Sequence, residues 1–310
     1  MQNEKGMPAM TDPVSIGWVG LGNMGSRMAP RLLAAGHGLT VFDAQADRMA
    51  PLEQAGATPA RSLGEVGERS GVVISSVLND DVLLRVTLGP DGLRDRMAPG
   101  GCLVDMSTVS PVASARVAEA LAGRGIAYLR APVSGSANLA AEGKLSIFVS
   151  GDRAAFDACR PILDVLGRKV AYLGPGEEAR VMKLAVNLLI AVTNGALAEA
   201  LSFGGRHGLD WATMIDTVAD SVAASPYVLS KVDALKRRDW TAVAPVALIG
   251  KDTDLLLEAG RRAGAYLPLA AAARQVLTAV EGRGDGGLDM AAVVTFFDAL
   301  APARQAETED

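Results

Sequence analysis

The feature that most restricts this chain is a short apolar run, SIGWVG at 15–20, that passes directly into Gly20-Leu21-Gly22-Asn23-Met24-Gly25 and then into helical spacing at Met24, Met28 and Leu32. Strand, glycine turn and helix in immediate succession describe the opening of a βαβ unit. Each glycine has its own task there. Gly20 permits the tight bend, Gly22 lets backbone approach a pyrophosphate with no Cβ in the way, and Gly25 allows helix to pack close on strand. The phosphate then meets the N–H groups of a helix N-terminus. A second apolar run, LTVFD at 39–43, ends on Asp43, 23 positions after Gly20, where a carboxylate can accept from ribose hydroxyls. A G-x-G-x-x-G alone is weak evidence; in this context, Gly20, Leu21, Gly22, Asn23, Met24 and Asp43 form a candidate dinucleotide-binding set. Asp43 repels a 2′-phosphate, Ala44 and Gln45 place no cation beside it, and Arg48 lies a helical turn away, so NAD is expected in preference to NADP. Pro30, two turns into the helix, removes a hydrogen bond and predicts a kink.

Beyond this unit, apolar runs GVVISSV (71–77), GCLVDM (101–106), LSIFVS (145–150) and KVAYL (169–173) alternate with helical segments. Near-continuous apolar strands separated by helices predict a parallel sheet covered on both faces. After about residue 176 the pattern becomes Ala/Leu-rich and helical, broken at Gly204–Gly205, Pro226, Pro245 and Gly282–Gly287. The expected fold is α/β: an N-terminal Rossmann-like doubly wound sheet (1–175), then a long inter-domain helix from about 177 to 205 leading an all-helical C-terminal domain (176–300), with a flexible tail at 301–310.

Nearly half of the 310 residues are apolar, about a fifth are charged, and the net charge is −5 with no Lys/Arg block, so no nucleic-acid footprint is expected. Cys102 and Cys159 have no CxxC or metal-ligand spacing, which suits a reducing, cytoplasmic setting with no metal. Met1–Pro13 lacks the apolar core of a signal peptide. Leu184–Leu201 is long and apolar enough to span a bilayer, but Asn187, Thr193, Asn194 and Glu199 would be costly in lipid, so a buried inter-domain helix and no membrane association are expected.

Three segments offer chemistry. In Asp105-Met106-Ser107-Thr108-Val109-Ser110-Pro111, Ser110 suits an N-cap and Pro111 the first helical position, which leaves Ser107 and Thr108 free at the carboxyl edge of the sheet. In Ala131-Pro132-Val133-Ser134-Gly135-Ser136, successive N–H groups could cup an anion such as a carboxylate, although Ser and Gly also make ordinary turns. Lys183 and Asn187 lie i, i+4 on one face of the long helix, and a lysine in an apolar helix is costly to bury without a partner or a task; its alternative is snorkelling to solvent. His37 and His207 both lie beside glycines and read as structural or surface residues. A lysine near a nicotinamide ring, or near Lys251, has its pKa lowered toward the range useful for proton transfer. Lys251-Asp252 reads equally well as a surface ion pair.

Together GLGNMGSRMA (20–29), DMSTVSP (105–111), APVSGS (131–136), K-x-x-x-N (183–187) and KD (251–252) resemble the β-hydroxyacid dehydrogenase family over nearly the whole chain. The resemblance implies reversible hydride transfer between NAD and a small 3-hydroxy acid of the 3-hydroxyisobutyrate or tartronate semialdehyde type. It implies Lys183 as catalytic acid/base, Asn187 as its neighbour at the substrate hydroxyl, and Ser134, Gly135 and Ser136 at the substrate carboxylate. It places Leu78 and Asn79 with backbone against the cofactor, Thr108 near the nicotinamide and Lys251 on the cofactor, in a homodimer or homotetramer. Departures from the family pattern at Asn79, Arg130, Ser136, Ser225-Pro226 and APVALIG (244–250) point to a bulkier or more polar substrate. The competing readings are an imine reductase, against which Lys183 argues, a short decarboxylating 6-phosphogluconate relative, and a non-catalytic dinucleotide-binding interaction module.

Overall fold

The computed structural model describes residues 15–300; the expectations for Met1–Pro13 and for the tail at 301–310 fall outside that range. The chain divides into two compact units, one ending at Lys183 and the other beginning at Leu184. The helix Glu178–Arg206 gives its first turns to the first unit and the rest to the second.

Among the described residues the first unit has nine strands: β1 (Ser15–Val19), β2 (Gly38–Phe42), β3 (Thr58–Pro59), β4 (Val72–Ser75), β5 (Cys102–Asp105), β6 (Ala127–Arg130), β7 (Val133–Ser134), β8 (Leu145–Gly151) and β9 (Gly167–Gly174). The order β3-β2-β1-β4-β5-β6 is parallel throughout, with Ile16 opposite both Leu39 and Val72. The direction of winding reverses between β1 and β4, and ligands of open α/β sheets bind beyond the strand ends at such a point. Ile16, Trp18, Ile74 and Val104 are buried in one core with Met28 and Leu32 of helix Gly25–Ala34. Val19, Val73 and Leu103 join Leu83, Val117 and Leu121 in the other, so both faces are covered. The helix runs on through Pro30, interrupted by one missing N–H donor rather than broken.

The sheet departs from the all-parallel expectation at its far side. β8 runs antiparallel to β6 (Leu129 opposite Gly151) and to β7 (Val133 opposite Ile147), while pairing parallel with β9. β3, β6 and β7 carry no apolar run long enough to announce themselves.

The second unit is helical: after the long helix come Trp211–Asp220, Pro226–Arg237, Val246–Ala263, Pro268–Gly282 and Val293–Ala299. Local chemistry sets several starts, with Asp210 and Ser225 accepting from Thr213 N (2.9 Å) and Val228 N (3.2 Å). Along the long helix, Leu184, Asn187, Ala191, Asn194, Ala198 and Leu201 are all buried. Their 3-4-3-4-3 spacing makes one stripe, and its lower part packs with Ile215, Leu235, Leu277 and Met290. By length and composition this is the one helix among the described residues able to cross a membrane, yet its two asparagines are bonded inside the helical unit: Asn187 to Asp252 and Asn194 to the Met290 carbonyl. Outside that stripe only Ala179, Arg180, Ser202 and Gly204 of this helix are buried; Leu189 is 64% and Phe203 66% exposed, so the helix is not the wholly buried element its composition suggests.

Candidate active site

The glycine turn is held from both sides. Gly20 N donates to Phe42 O (2.9 Å), Ser76 N donates to Val19 O (2.9 Å), and Gly20 adopts φ +93°. A Cβ on Gly20 would fall on the Ser76 carbonyl oxygen, and one on Gly25 would fall on the Gly20 carbonyl. Gly22 is different: no heavy atom lies within 4 Å of where its Cβ would stand. The protein's own packing therefore explains Gly20 and Gly25 but not Gly22, whose bare backbone faces open space at a helix N-terminus. That is the cradle an incoming pyrophosphate requires.

Asp43 closes the turn. Its Oδ2 accepts from Leu21 N (2.7 Å) and its Oδ1 from Gln45 N (2.9 Å), which leaves acceptor capacity on each oxygen for a ribose hydroxyl. Arg48, placed by sequence a helical turn away, instead brings Nη1 to 3.7 Å from Asp43 Oδ1 on a side chain 43% exposed. A cation thus stands beside the carboxylate after all, because the 3-10 turn Ala46–Arg48 folds back on it.

The strand-end loops come next. Leu78 is 64% exposed, as a residue offering backbone to a ligand can be. Asn79 turns its Oδ1 onto Val82 N (3.0 Å), capping helix Asp80–Leu88. Ser110 caps helix Pro111–Ala122 as expected, accepting from Ala113 N (3.0 Å), and also donates to Asp80. Ser107, read as free, is fully engaged: its Oγ donates to Asp105 Oδ1 (2.6 Å) and accepts from Val77 N (2.8 Å). Thr108 follows it, partly buried. Ser134 pairs with Ser146 of β8, and Gly135 has φ +143° beside Leu145 and Leu139. Ser136 caps the short helix Ala137–Ala141 through Leu139 N (3.3 Å).

Sequence reasoning missed a buried polar cluster centred on Arg180. Arg180 is 1% exposed and donates to Ser107 O (2.6 Å), Tyr128 OH (3.0 Å), Ser114 Oγ (3.3 Å) and the Asp105 carboxylate. Asp105 also accepts from Ser75 Oγ (2.7 Å). Burial disfavours the guanidinium charge, but Tyr128 and Asp105 outweigh it and raise the arginine pKa. Burial pushes the Tyr128 hydroxyl up to about 12, so it stays protonated. Arg130, another departure from the family pattern, is occupied too: Nε donates to Glu177 Oε1 (2.8 Å), and its guanidinium lies over the Tyr128 ring.

Lys183 is half-buried, three residues beyond Arg180. In the helical unit, Asn187 is buried and donates to Asp252 Oδ2 (2.7 Å). Lys251 Nζ lies 2.8 Å from Asp252 Oδ1, and the Asp252 side chain is only 5% exposed. Lys251-Asp252 is therefore not a surface pair: Asp252 is a buried carboxylate joining an amide and an ammonium. The sequence left that pair open between a surface ion pair and the KD motif of the family resemblance, and neither reading placed Asp252 in contact with Asn187.

Two family profiles cover this chain. That of the NAD binding domain of 6-phosphogluconate dehydrogenase matches residues 15–174, and that described as NAD-binding of NADP-dependent 3-hydroxyisobutyrate dehydrogenase matches 178–297. A 2-(hydroxymethyl)glutarate dehydrogenase from Eubacterium barkeri is 32% identical over 94% of this chain and 97% of its own length. A 3-hydroxyisobutyrate dehydrogenase from Pseudomonas aeruginosa is 35% identical over 87% and 92%. Among solved structures, the 3-hydroxyisobutyrate dehydrogenase of Salmonella typhimurium superposes with a TM-score of 0.84 at 29% identity, covering 91% of this chain and 99% of that one.

Proposed function

Since this chain belongs to the β-hydroxyacid dehydrogenase family, an oxidoreductase family acting on CH–OH groups, we propose that it oxidises a small 3-hydroxy acid reversibly, with Lys183 as the general acid/base. The reading rests on two observations: the Gly22 backbone is clear of the protein's own atoms beside Asp43, and a half-buried lysine stands one helical turn before a buried asparagine.

A bound nicotinamide ring supplies the site's hydride acceptor in one direction and its donor in the other. The chain's own residues supply the rest. Gly22 and its helix N-terminus take the pyrophosphate, and Asp43 accepts from the adenosine ribose. Ser134, Gly135 and Ser136 take the substrate carboxylate, Lys251 and Thr108 flank the cofactor, and Leu78 and Asn79 offer backbone. Lys183 removes the proton from the substrate hydroxyl and returns it to the alkoxide in the reverse direction. Asn187, fixed by Asp252, orients that hydroxyl.

Asp43 supports NAD as the preferred cofactor, with Arg48 as the group able to admit a 2′-phosphate. Asn79, Ser136 and Ser225 cap helices and Arg130 pairs with Glu177, structural roles that account for these departures without a special substrate, whereas the stretch 244–250 still supports a bulkier or more polar one. A clear preference for 3-hydroxyisobutyrate would exclude that reading. Exposed apolar residues on the long helix support a homodimer or homotetramer, to be measured by sedimentation.

The experiment is the change in NADH absorbance with 3-hydroxyisobutyrate, L-threonate, L-serine and short semialdehydes, using NAD and NADP, for the parent and Lys183→Ala. Turnover that favours NAD and collapses at least 100-fold in Lys183→Ala is expected. Binding of NADH with no turnover of any panel member would overturn the substrate class, and turnover surviving in Lys183→Ala would overturn the acid/base assignment.

A further inference from the structure

Arginine is the wrong residue for filling space in a core. It carries five donors in a rigid fork and is costly to bury unless each is met. Arg180 is 1% exposed, and its fork finds four acceptors on four separate pieces of backbone: Asp105 at the end of β5, the Ser107 carbonyl in the following loop, Ser114 in helix Pro111–Ala122, and Tyr128 on β6. Buried ion pairs are weak stabilisers of a fold compared with well-packed apolar groups. What such a fork supplies is geometry.

Its geometry reaches two loops and one helix. Asp105 Oδ1 accepts from Ser107 Oγ, and Ser107 Oγ in turn accepts from Val77 N, directly before Leu78 and Asn79. The Ser107 carbonyl that accepts from Arg180 belongs to the peptide unit leading into Thr108. One cluster thus fixes the loop at 76–79, the loop at 106–110 and the first turn of helix Glu178–Arg206. Lys183 stands three residues beyond Arg180, about 4.5 Å further along the axis and on nearly the same face. Every group named lies within the unit that ends at Lys183.

We infer that Arg180 is the positioning residue that sets Lys183 against the nicotinamide-bearing loops, so that proton transfer and hydride transfer meet at one carbon. The inference rests on the reading of Lys183 as acid/base. Arg180 touches neither substrate nor cofactor; it acts through the helix turn on one side and through Asp105 and Ser107 on the other. Misplacing a reacting group by about 1 Å costs on the order of 100-fold in rate, while the pyrophosphate and ribose contacts at Gly22 and Asp43 lie outside the cluster, so any loss of cofactor affinity through the loops of Leu78, Asn79 and Thr108 is much smaller than the loss in rate.

The test uses the full chain with Arg180→Lys, which keeps the buried charge and removes the fork. Folding is followed by thermal melting, cofactor binding by NADH fluorescence, and chemistry by kcat, KM and the deuterium effect on kcat. The substrate is the panel member turned over fastest by the parent. The expected result is a folded protein whose NADH Kd and substrate KM stay within threefold, whose kcat falls 30-fold or more, and whose deuterium effect rises as the chemical step becomes limiting. A kcat within threefold of the parent overturns the inference. So does a fall in kcat matched by an equal loss of NADH affinity with the deuterium effect unchanged, which is general loosening. Should Arg180→Lys fail to fold, the charge-neutral double variant Asp105→Asn with Arg180→Gln carries the same expectation. Lys183→Ala, run alongside, separates the two ideas: turnover surviving there defeats the acid/base reading, whereas turnover lost there but intact in Arg180→Lys defeats this inference alone.

Discussion

Gly20 and Gly22 sit two residues apart in one turn, and alanine at each should damage a different property. At Gly20, φ +93° costs an L-residue about 1–2 kcal/mol. The new Cβ would also overlap the Ser76 carbonyl oxygen. Relief by movement is blocked, because Gly20 N is bonded to Phe42 O and Ser76 N to Val19 O, both at 2.9 Å. Overpacking of this kind adds about 1–3 kcal/mol. The sum, about 2–5 kcal/mol, corresponds to a melting temperature lower by roughly 4–20 °C for a unit of this size. At Gly22 nothing lies within 4 Å of the Cβ, so the ligand-free stability of Gly22→Ala should stay within about 0.5 kcal/mol of the parent. The same methyl group stands where the pyrophosphate must approach, and NADH binding should weaken at least tenfold, or about 1.4 kcal/mol. Thermal melts without cofactor and NADH fluorescence titrations measure the two quantities independently. If Gly22→Ala binds NADH within threefold of the parent, or Gly20→Ala melts within 2 °C of it, the division of labour in this turn is refuted.

Asp252→Ala leaves the buried Asn187 amide without its acceptor, at a cost of about 1–3 kcal/mol, and should lower turnover at least tenfold in a protein that still folds by circular dichroism; unchanged kcat would remove Asp252 from the site. Arg48→Ala should weaken NADPH binding at least threefold while leaving NADH untouched, and equal effects on both would show that the 3.7 Å approach to Asp43 plays no part in cofactor choice. Burial raises the Asp289 carboxyl, but the Ala291 and Ala244 N–H groups and Lys231 Nζ together hold it below the usual aspartate value. A depressed folded pKa contributes stability above the unfolded value of about 3.9 and loses it as pH falls toward the folded value. The penalty of Asp289→Asn in urea unfolding should therefore be largest at pH 7 and shrink below about pH 4; a penalty independent of pH would contradict the linkage.

Legibility in the sequence followed the range of the interactions. The turn at 20–25, the N-cap at Ser110 and the helix over Glu178–Arg206 are set by neighbours within a few residues, and periodicity or turn chemistry exposes them. β6 escaped because Ala127-Tyr128-Leu129-Arg130 ends on an arginine buried only by virtue of Glu177, 47 residues away. The antiparallel course of β8 has no local signature either; it depends on β6 and β7 reaching the same edge. At the site, the Ser107 hydroxyl looked available because Val77, whose N–H it accepts, lies 30 residues distant, and because its own acceptor Asp105, two residues away, is turned toward it by the buried Arg180 cluster. Arg48 was misjudged for the opposite reason: helical spacing was assumed where a 3-10 turn brings it back to Asp43. Of the polar departures from the family pattern, Asn79, Ser136 and Ser225 are helix caps seen without their helices, and Arg130 is one half of an ion pair seen without Glu177.

The reach of the Arg180 fork bears on the order in which this chain acquires its abilities during synthesis. Gly20, Gly22 and Asp43 have been synthesised when fewer than 50 residues exist. Arg180 bonds to groups 52 to 75 positions behind it, and Lys183 comes later still. At about 5–20 residues per second, on the order of ten seconds separates the two events. A nascent chain therefore possesses the residues that recognise a nucleotide well before it can place a proton donor, and chemistry is among the last competences the first unit gains.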